Sequence, residues 1–250
     1  MTPLSVQLYT LRDVIHDDFP TVLRRVAEIG YKGVEFAGLH GIPPAEIAGI
    51  LADSGLQVSS SHTGLPTRET IAKLADTEKT LGNTRLVAGF GPDNFKTLDE
   101  CRRSAEKFQT AAQLAVDEGL SFSMHNHWWE FQTVDGYEVY DYLLEAAPAM
   151  MLELDIYWVA YAGKSPAEVI ARHKSRLPLL HIKDGSLEKD SAMTAVGGGK
   201  VDVKAAIAAA DPDVLKWLIV ELDHCDTDMW EAVQQSYSYL TENGLASGRK

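Results

Sequence analysis

A single (β/α)8 barrel spanning residues 1–250 is the fold class this sequence predicts. Three observations point to it. Eight β-rich runs alternate strictly with eight helical patterns, which implies parallel strands joined by crossover helices. The length of 250 residues is the usual size of such a barrel as one domain. No glycine-rich phosphate turn follows the first run, which argues against an open doubly wound sheet.

The first run, LSVQLY at 4–9, precedes a helix over about 17–29, where Phe19, Val22, Leu23, Val26 and Ile29 recur at helical spacing. KGVEF at 32–36 leads through Pro43 and Pro44 into a helix that Gly55 ends. QVSSSH at 57–62 is followed by a helix over about 67–81. TRLVAG at 84–89 is followed by one over about 95–118, closed by Gly119. SFSMH at 121–125 pairs with a helix over about 136–147, and MMLELD at 150–155 with one over about 166–174. PLLHIK at 178–183 precedes a short helix near 202–210, and WLIVEL at 217–222 a terminal helix over about 227–243. The polar tail at 243–250 is expected to fray.

Composition narrows the function. Lys and Arg number 23 against 36 Asp and Glu, a net charge of −13 that repels a phosphate backbone, so nucleic acid is not an expected partner. Two cysteines make no disulfide framework, and CxxC zinc spacing is absent. The opening residues lack a basic, then apolar, signal pattern, and no apolar run reaches the roughly 18 residues a membrane span needs. A cytoplasmic protein without membrane partners is expected.

In a barrel, chemistry sits at the C-terminal strand ends. Gln7 and Tyr9 end the first run, Glu35 the second and His62 the third. His125-Asn126-His127 ends the fifth, with Glu130 just beyond. Asp155 ends the sixth, His181, Lys183 and Asp184 the seventh, and Glu221 and Asp223 the eighth. Asp155, His181 and Glu221 each follow apolar residues. Buried there they need a partner, and Asp, His and Glu suit a divalent ion. The fifth strand offers two candidates for a fourth ligand: His125 at the strand end, and Glu130, which would make the set richer in oxygen.

The chain resembles the sugar phosphate isomerase/epimerase, or xylose isomerase-like, barrels. The resemblance runs through SVQLYTLRD at 5–13, IGYKGVEFAG at 29–38, MHNHWWEF at 124–131, LELDIYW at 152–158, LLHIKD at 179–184 and IVELD at 219–223. HNHxxEF at the fifth strand looks like one branch of that family. The resemblance implies one divalent ion, manganese first, with magnesium, cobalt or zinc as alternatives. Its ligands, carried over, are Glu130, Asp155, His181 and Glu221. A gap-free alignment puts the first of these on His125 instead.

The resemblance further implies isomerisation or epimerisation of a sugar, keto-sugar or cyclitol through an enediolate. Dehydration or lysis of an inosose or a 3-keto-glycoside is the alternative, as is a sugar-binding subunit without turnover. Glu221 and Glu130 would move protons and Lys183 would face the developing oxyanion. Glu35, His62, His125, His127, Trp128 and Trp158 would contact the substrate, while Trp129 is expected to pack beneath the loops. The glycines of VGGGKVD at 196–202 suggest a mobile lid over the site, or a phosphate cradle. Arg12 is the nearest cation for a phosphate, with a surface position at a helix start as the equal reading. Self-association and assembly with a different subunit are both compatible with the sequence.

Overall fold

The computed structural model describes residues 1–249. Eight parallel strands close into one barrel: β1 (Leu4–Gln7), β2 (Gly33–Ala37), β3 (Gln57–His62), β4 (Arg85–Ala88), β5 (Ser121–His125), β6 (Met151–Asp155), β7 (Leu179–Ile182) and β8 (Trp217–Val220). Each pairs with its neighbours in sequence, and β1 closes on β8. The main crossover helices are α1 (Phe19–Ile29), α2 (Pro44–Ser54), α3 (Ile71–Leu81), α4 (Leu98–Asp117), α5 (Val139–Ala146), α6 (Pro166–His173), α7 (Val203–Ala209) and α8 (Met229–Glu242). No helix among the described residues is long and apolar enough to cross a membrane.

Period-2 alternation divides every strand into two faces. Leu4 and Val6, Phe122 and Met124, and Leu152 and Leu154 face the helices and join the main core. The opposite positions face the barrel interior. At its lower end Val87, Leu179, Trp217 and Ile219 form a separate apolar plug. Gly33 makes room for that plug, since a Cβ there would lie 2.9 Å from the Trp217 ring. One alternation higher the interior turns polar: Gln7, Glu35, His125, Glu153, Asp155 and His181 are all buried. The buried carboxylates and imidazoles of the interior therefore gather where the plug ends, while Arg85 lies on the plug side, its guanidinium donating to the Ser59 carbonyl at 3.1 Å.

Two local expectations are corrected. The helix expected from residue 136 starts at Val139, because a small hairpin precedes it, pairing Thr133–Val134 with Tyr137–Glu138. Asp135 and Gly136, at φ 49° and 86°, form its turn, and an Asp-Gly pair favours that turn type. Residues 243–249 of the tail expected to fray instead dock on the barrel floor, and Lys250 lies outside the described residues. Leu4 N–H donates to the Ser247 carbonyl at 3.2 Å and Arg249 N–H to the Gly30 carbonyl at 2.8 Å.

Candidate active site

The C-terminal ends of the strands converge on a cavity of about 680 Å³. His181 stands at its base. Register places it opposite Asp155 on β6 and Ile219 on β8. Its Nδ1 lies 2.9 Å from Glu221 Oε2, and its Nε2 lies 2.6 Å from Glu35 Oε2 and 3.2 Å from Glu153 Oε2. Burial opposes a charge on this ring, but Glu153, Glu35 and Glu221 outweigh it and hold the imidazole well above its usual range. Glu35 also accepts from Gln7 Nε2 and Ser60 Oγ, and burial pushes its carboxyl up to about 7.

Glu153 is the residue that sequence reasoning missed. Its Oε2 gathers His62 Nε2 at 2.7 Å and His125 Nδ1 at 3.0 Å, besides His181. Burial works against its charge, yet His181 and His62 hold the carboxyl well below the usual range. A signal was present: Glu153 and Asp155 are two apart on one strand and therefore share the interior face.

Asp155 divides its carboxylate between two tasks. Oδ1 accepts from the amides of Tyr157 and Trp158, capping the short helix Ile156–Tyr161. That cap fixes Trp158 at the mouth. Oδ2 makes no hydrogen bond of good geometry, although Lys183 Nζ lies 3.1 Å away. Burial raises the Asp155 carboxyl to about 6 against the pull of Lys183. Lys183 also lies 2.7 Å from Glu221 Oε2 and 3.1 Å from Asp223 Oδ2. Its burial is offset by Asp155, Glu221 and Asp223, which keep the ammonium charged. Glu221 stays ionised despite burial, held by Lys183 and His181.

Ligand atoms of two overlapping groups lie within 4.8 Å of one another: His62, His125, Glu153 and His181, and His125, Asp155, His181 and Glu221. The second combines two imidazoles with two carboxylates, a set suited to a borderline divalent ion, and it includes Asp155, whose Oδ2 has no hydrogen-bond partner. The chain's residues thus fit a metal ion.

Glu130, expected beside Asp155, His181 and Glu221, belongs to neither group. Its Oε2 accepts from the His127 amide at 2.8 Å, its Oε1 has no partner, and burial raises the carboxyl to about 8. It braces the loop behind the cavity and does not line it. Glu35 likewise lies beneath the cavity lining, holding His181.

His62, His125, His127, Trp128, Trp158 and Lys183 line the cavity. His127 stacks on Trp129 at 4.1 Å, and burial drives its pKa down to about 2, so the ring is neutral. Trp129 lines the cavity too, half-buried, with its indole N–H donating to the Phe90 carbonyl at 3.0 Å. Asn126 stitches β5 to β6: its Oδ1 accepts from the Asp155 amide at 3.0 Å. Arg12 is a partly exposed residue at a helix start, as one of its two readings had it. Its guanidinium donates to the Tyr9 and Asp223 carbonyls and stacks on the Tyr9 ring.

The glycine-rich loop is tied to a carboxylate at its own base. The buried Asp184 accepts from the amides of Gly185 and Val201 at Oδ1 and from those of Gly197 and Gly199 at Oδ2, at 2.9–3.0 Å. A Cβ on Gly199 would lie 2.1 Å from that carboxylate, so glycine serves close approach here.

A closed eight-stranded parallel barrel with polar strand ends defines a TIM-barrel class of protein, and the comparisons make the class specific. The chain belongs to the xylose isomerase-like TIM barrel family, whose sequence model matches residues 23–242. No curated protein matches it. Among solved structures it is similar to a sugar phosphate isomerase/epimerase from Parabacteroides distasonis, with 24% identity over 98% of this chain and 96% of that one, at a TM-score of 0.80. It is similar to an L-ribulose 3-epimerase, with 16% identity over 98% and 95% of the two chains and a TM-score of 0.76. It also resembles the IolI protein with a bound zinc atom, at 16% identity, 98% coverage of each chain and a TM-score of 0.74. At these identities the likeness shows the fold.

Proposed function

We propose that this chain is a divalent-metal-dependent isomerase or epimerase acting on a carbohydrate. The observation that carries the reading is the group His125, Asp155, His181 and Glu221, whose ligand atoms meet at the base of a cavity walled by aromatic rings. Family membership and an epimerase among the similar structures support it. His125 replaces Glu130 in the proposed ligand set. A divalent ion held there would supply Lewis-acid stabilisation of negative charge on a substrate carbonyl oxygen.

The chain's own residues would do the rest. Glu221, ionised and facing the cavity, takes the proton from the carbon beside the carbonyl. Lys183 keeps a fixed positive charge 2.7 Å from that carboxylate, where the substrate oxygen gains charge. His62 and the neutral His127 offer ring nitrogens to sugar hydroxyls, and Trp128 and Trp158 cover an apolar ring face.

The test is solvent-deuterium exchange into keto-sugars by the metal-loaded protein. Glu221→Gln should lower exchange and turnover together by about 10²–10⁴-fold, the usual general-base contribution. Exchange at the parent rate would place the base elsewhere. Sugar binding by the parent without any exchange would make the chain a binding protein.

A further inference from the structure

We propose that the substrate is an uncharged, unphosphorylated sugar, and that its phosphate ester is rejected. This rests on the carbohydrate reading above and narrows it. Barrels of this architecture often take a phosphate on backbone amides of the loops after the seventh and eighth strands, aided by a helix N-terminus. Here the chain's own carboxylates occupy those amides.

The loop after β7 curls its amides inward as an anion nest does. Four of them are satisfied by Asp184, which is 1% exposed. A phosphate at the nest would have to displace a buried carboxylate that its donors already saturate. The next helix start carries a carboxylate of its own, whose charge a phosphate would meet: Asp202 accepts from the Ala205 amide at 3.0 Å at the head of α7. After β8, Asp228 accepts from the Glu231 amide at 2.9 Å at the head of α8.

The side chains at the mouth give a phosphate no better welcome. Lys183, the one ammonium among the described residues of the lining, is shared among Asp155, Glu221 and Asp223. The Arg12 guanidinium, held against Asp223, is committed to backbone carbonyls. Glu221 and Asp223 both face the cavity, so a phosphate there would meet like charge. A neutral sugar meets the opposite conditions. Its hydroxyls find imidazoles, and its apolar face finds Trp128 and Trp158, whose ring centres are 4.7 Å apart.

The experiment is isothermal titration of the metal-loaded protein with matched pairs: D-fructose, D-ribulose and D-xylulose, each against its terminal phosphate ester. The neutral member should bind at least about ten-fold more tightly in any pair that binds, a difference near 1.4 kcal/mol. Tighter binding of the phosphorylated member would overturn this inference and leave the carbohydrate reading standing. Binding of neither member of any pair would overturn both. A second measurement addresses the cause. In ion-free protein at matched ionic strength, inorganic phosphate should raise the melting midpoint of Asp184→Ala, by filling the vacated nest, and leave the parent unchanged. A parent stabilised by phosphate would show an open anion site and overturn the inference. Should Asp184→Ala fail to fold, Asp184→Asn and the paired titrations decide.

Discussion

Asp155 and Asp184 sit at neighbouring strand ends of the barrel, and both are buried. They differ in what their carboxylates meet. Asp184 has both oxygens filled by four backbone amides of its own loop. Asp155 fills one oxygen with two amides and leaves the other beside an ammonium and the Glu221 carboxylate. A saturated carboxylate is architecture, since nothing remains for a ligand to use. A half-saturated one holds its own orientation with one oxygen and keeps the second available. The same contrast separates the closed loop after β7 from the open rim formed by β5, β6 and β8.

Removing each residue in turn is the largest test of this contrast. Asp155→Ala should weaken divalent-ion binding by about 10²-fold or more, read by competition with a chelator, because a ligand loss exceeds the 10–100-fold typical of a residue that only supports a ligand. Asp184→Ala should leave ion affinity within about three-fold of the parent. It orphans four amides, each costing roughly 1–3 kcal/mol if kept from water, so a loss of about 3 kcal/mol or more is expected. For a chain of this size that lowers the melting midpoint by about 6–12 °C. An ion kept by Asp155→Ala and lost by Asp184→Ala would reverse the comparison.

The fifth strand sharpens it. His125→Ala should lower ion affinity by about 10²-fold, whereas Glu130→Ala should change it by less than about three-fold, since Glu130 braces the loop through the His127 amide. The opposite order would restore Glu130 as the ligand.

These residues also show where sequence reading reaches its limit. The barrel was legible because alternation of β and α units is a long-range pattern, and Asp155, His181 and Glu221 were legible because each breaks an apolar run at its end. Glu153 was hidden inside such a run. Only the two-residue period tying it to Asp155 places it in the interior. The partners of Asp184 were invisible for a different reason: backbone amides carry no sequence signature. The glycines at 197 and 199 therefore read as freedom to move, when they permit contact with a carboxylate. Glu130 was hard to place because a loop position five residues past a strand end is set by local turns, here the 3-10 turn Trp129–Phe131, and not by periodicity.

Glu130 supplies a pH test of its own. Burial raises its carboxyl to about 8, against roughly 4.3 in an unfolded chain. A folded-state value above the unfolded one means the group's contribution to stability is complete below about pH 4 and is lost as pH rises through 8. Ion-free parent protein should therefore lose stability between pH 5 and 8 relative to Glu130→Gln, which carries no titrating proton there. Denaturant midpoints of the two proteins across that range measure the difference. Parallel curves would mean that Glu130 is solvated and ionised, and that its loop is not a dry support behind the cavity.

The smallest expected effect belongs to the rim. Trp128 is 41% exposed and packs edge-on against Trp129, 4.5 Å away, so the fold depends on it little. Its value is the ring face turned to the cavity. Burying roughly 40 Å² of that face against a sugar contributes about 1 kcal/mol, or about five-fold in Kd. Trp128→Ala should therefore weaken binding of a neutral keto-sugar by about five-fold and leave ion affinity and melting midpoint unchanged. Trp128→Phe, keeping an aromatic face, should recover most of the loss. Calorimetry with the sugar and a separate chelator competition distinguish the two effects. A change in ion affinity on removing this ring would mean that rim and base act as one unit, and the division between supporting wall and ligand set would fail at the position where it is expected to hold best.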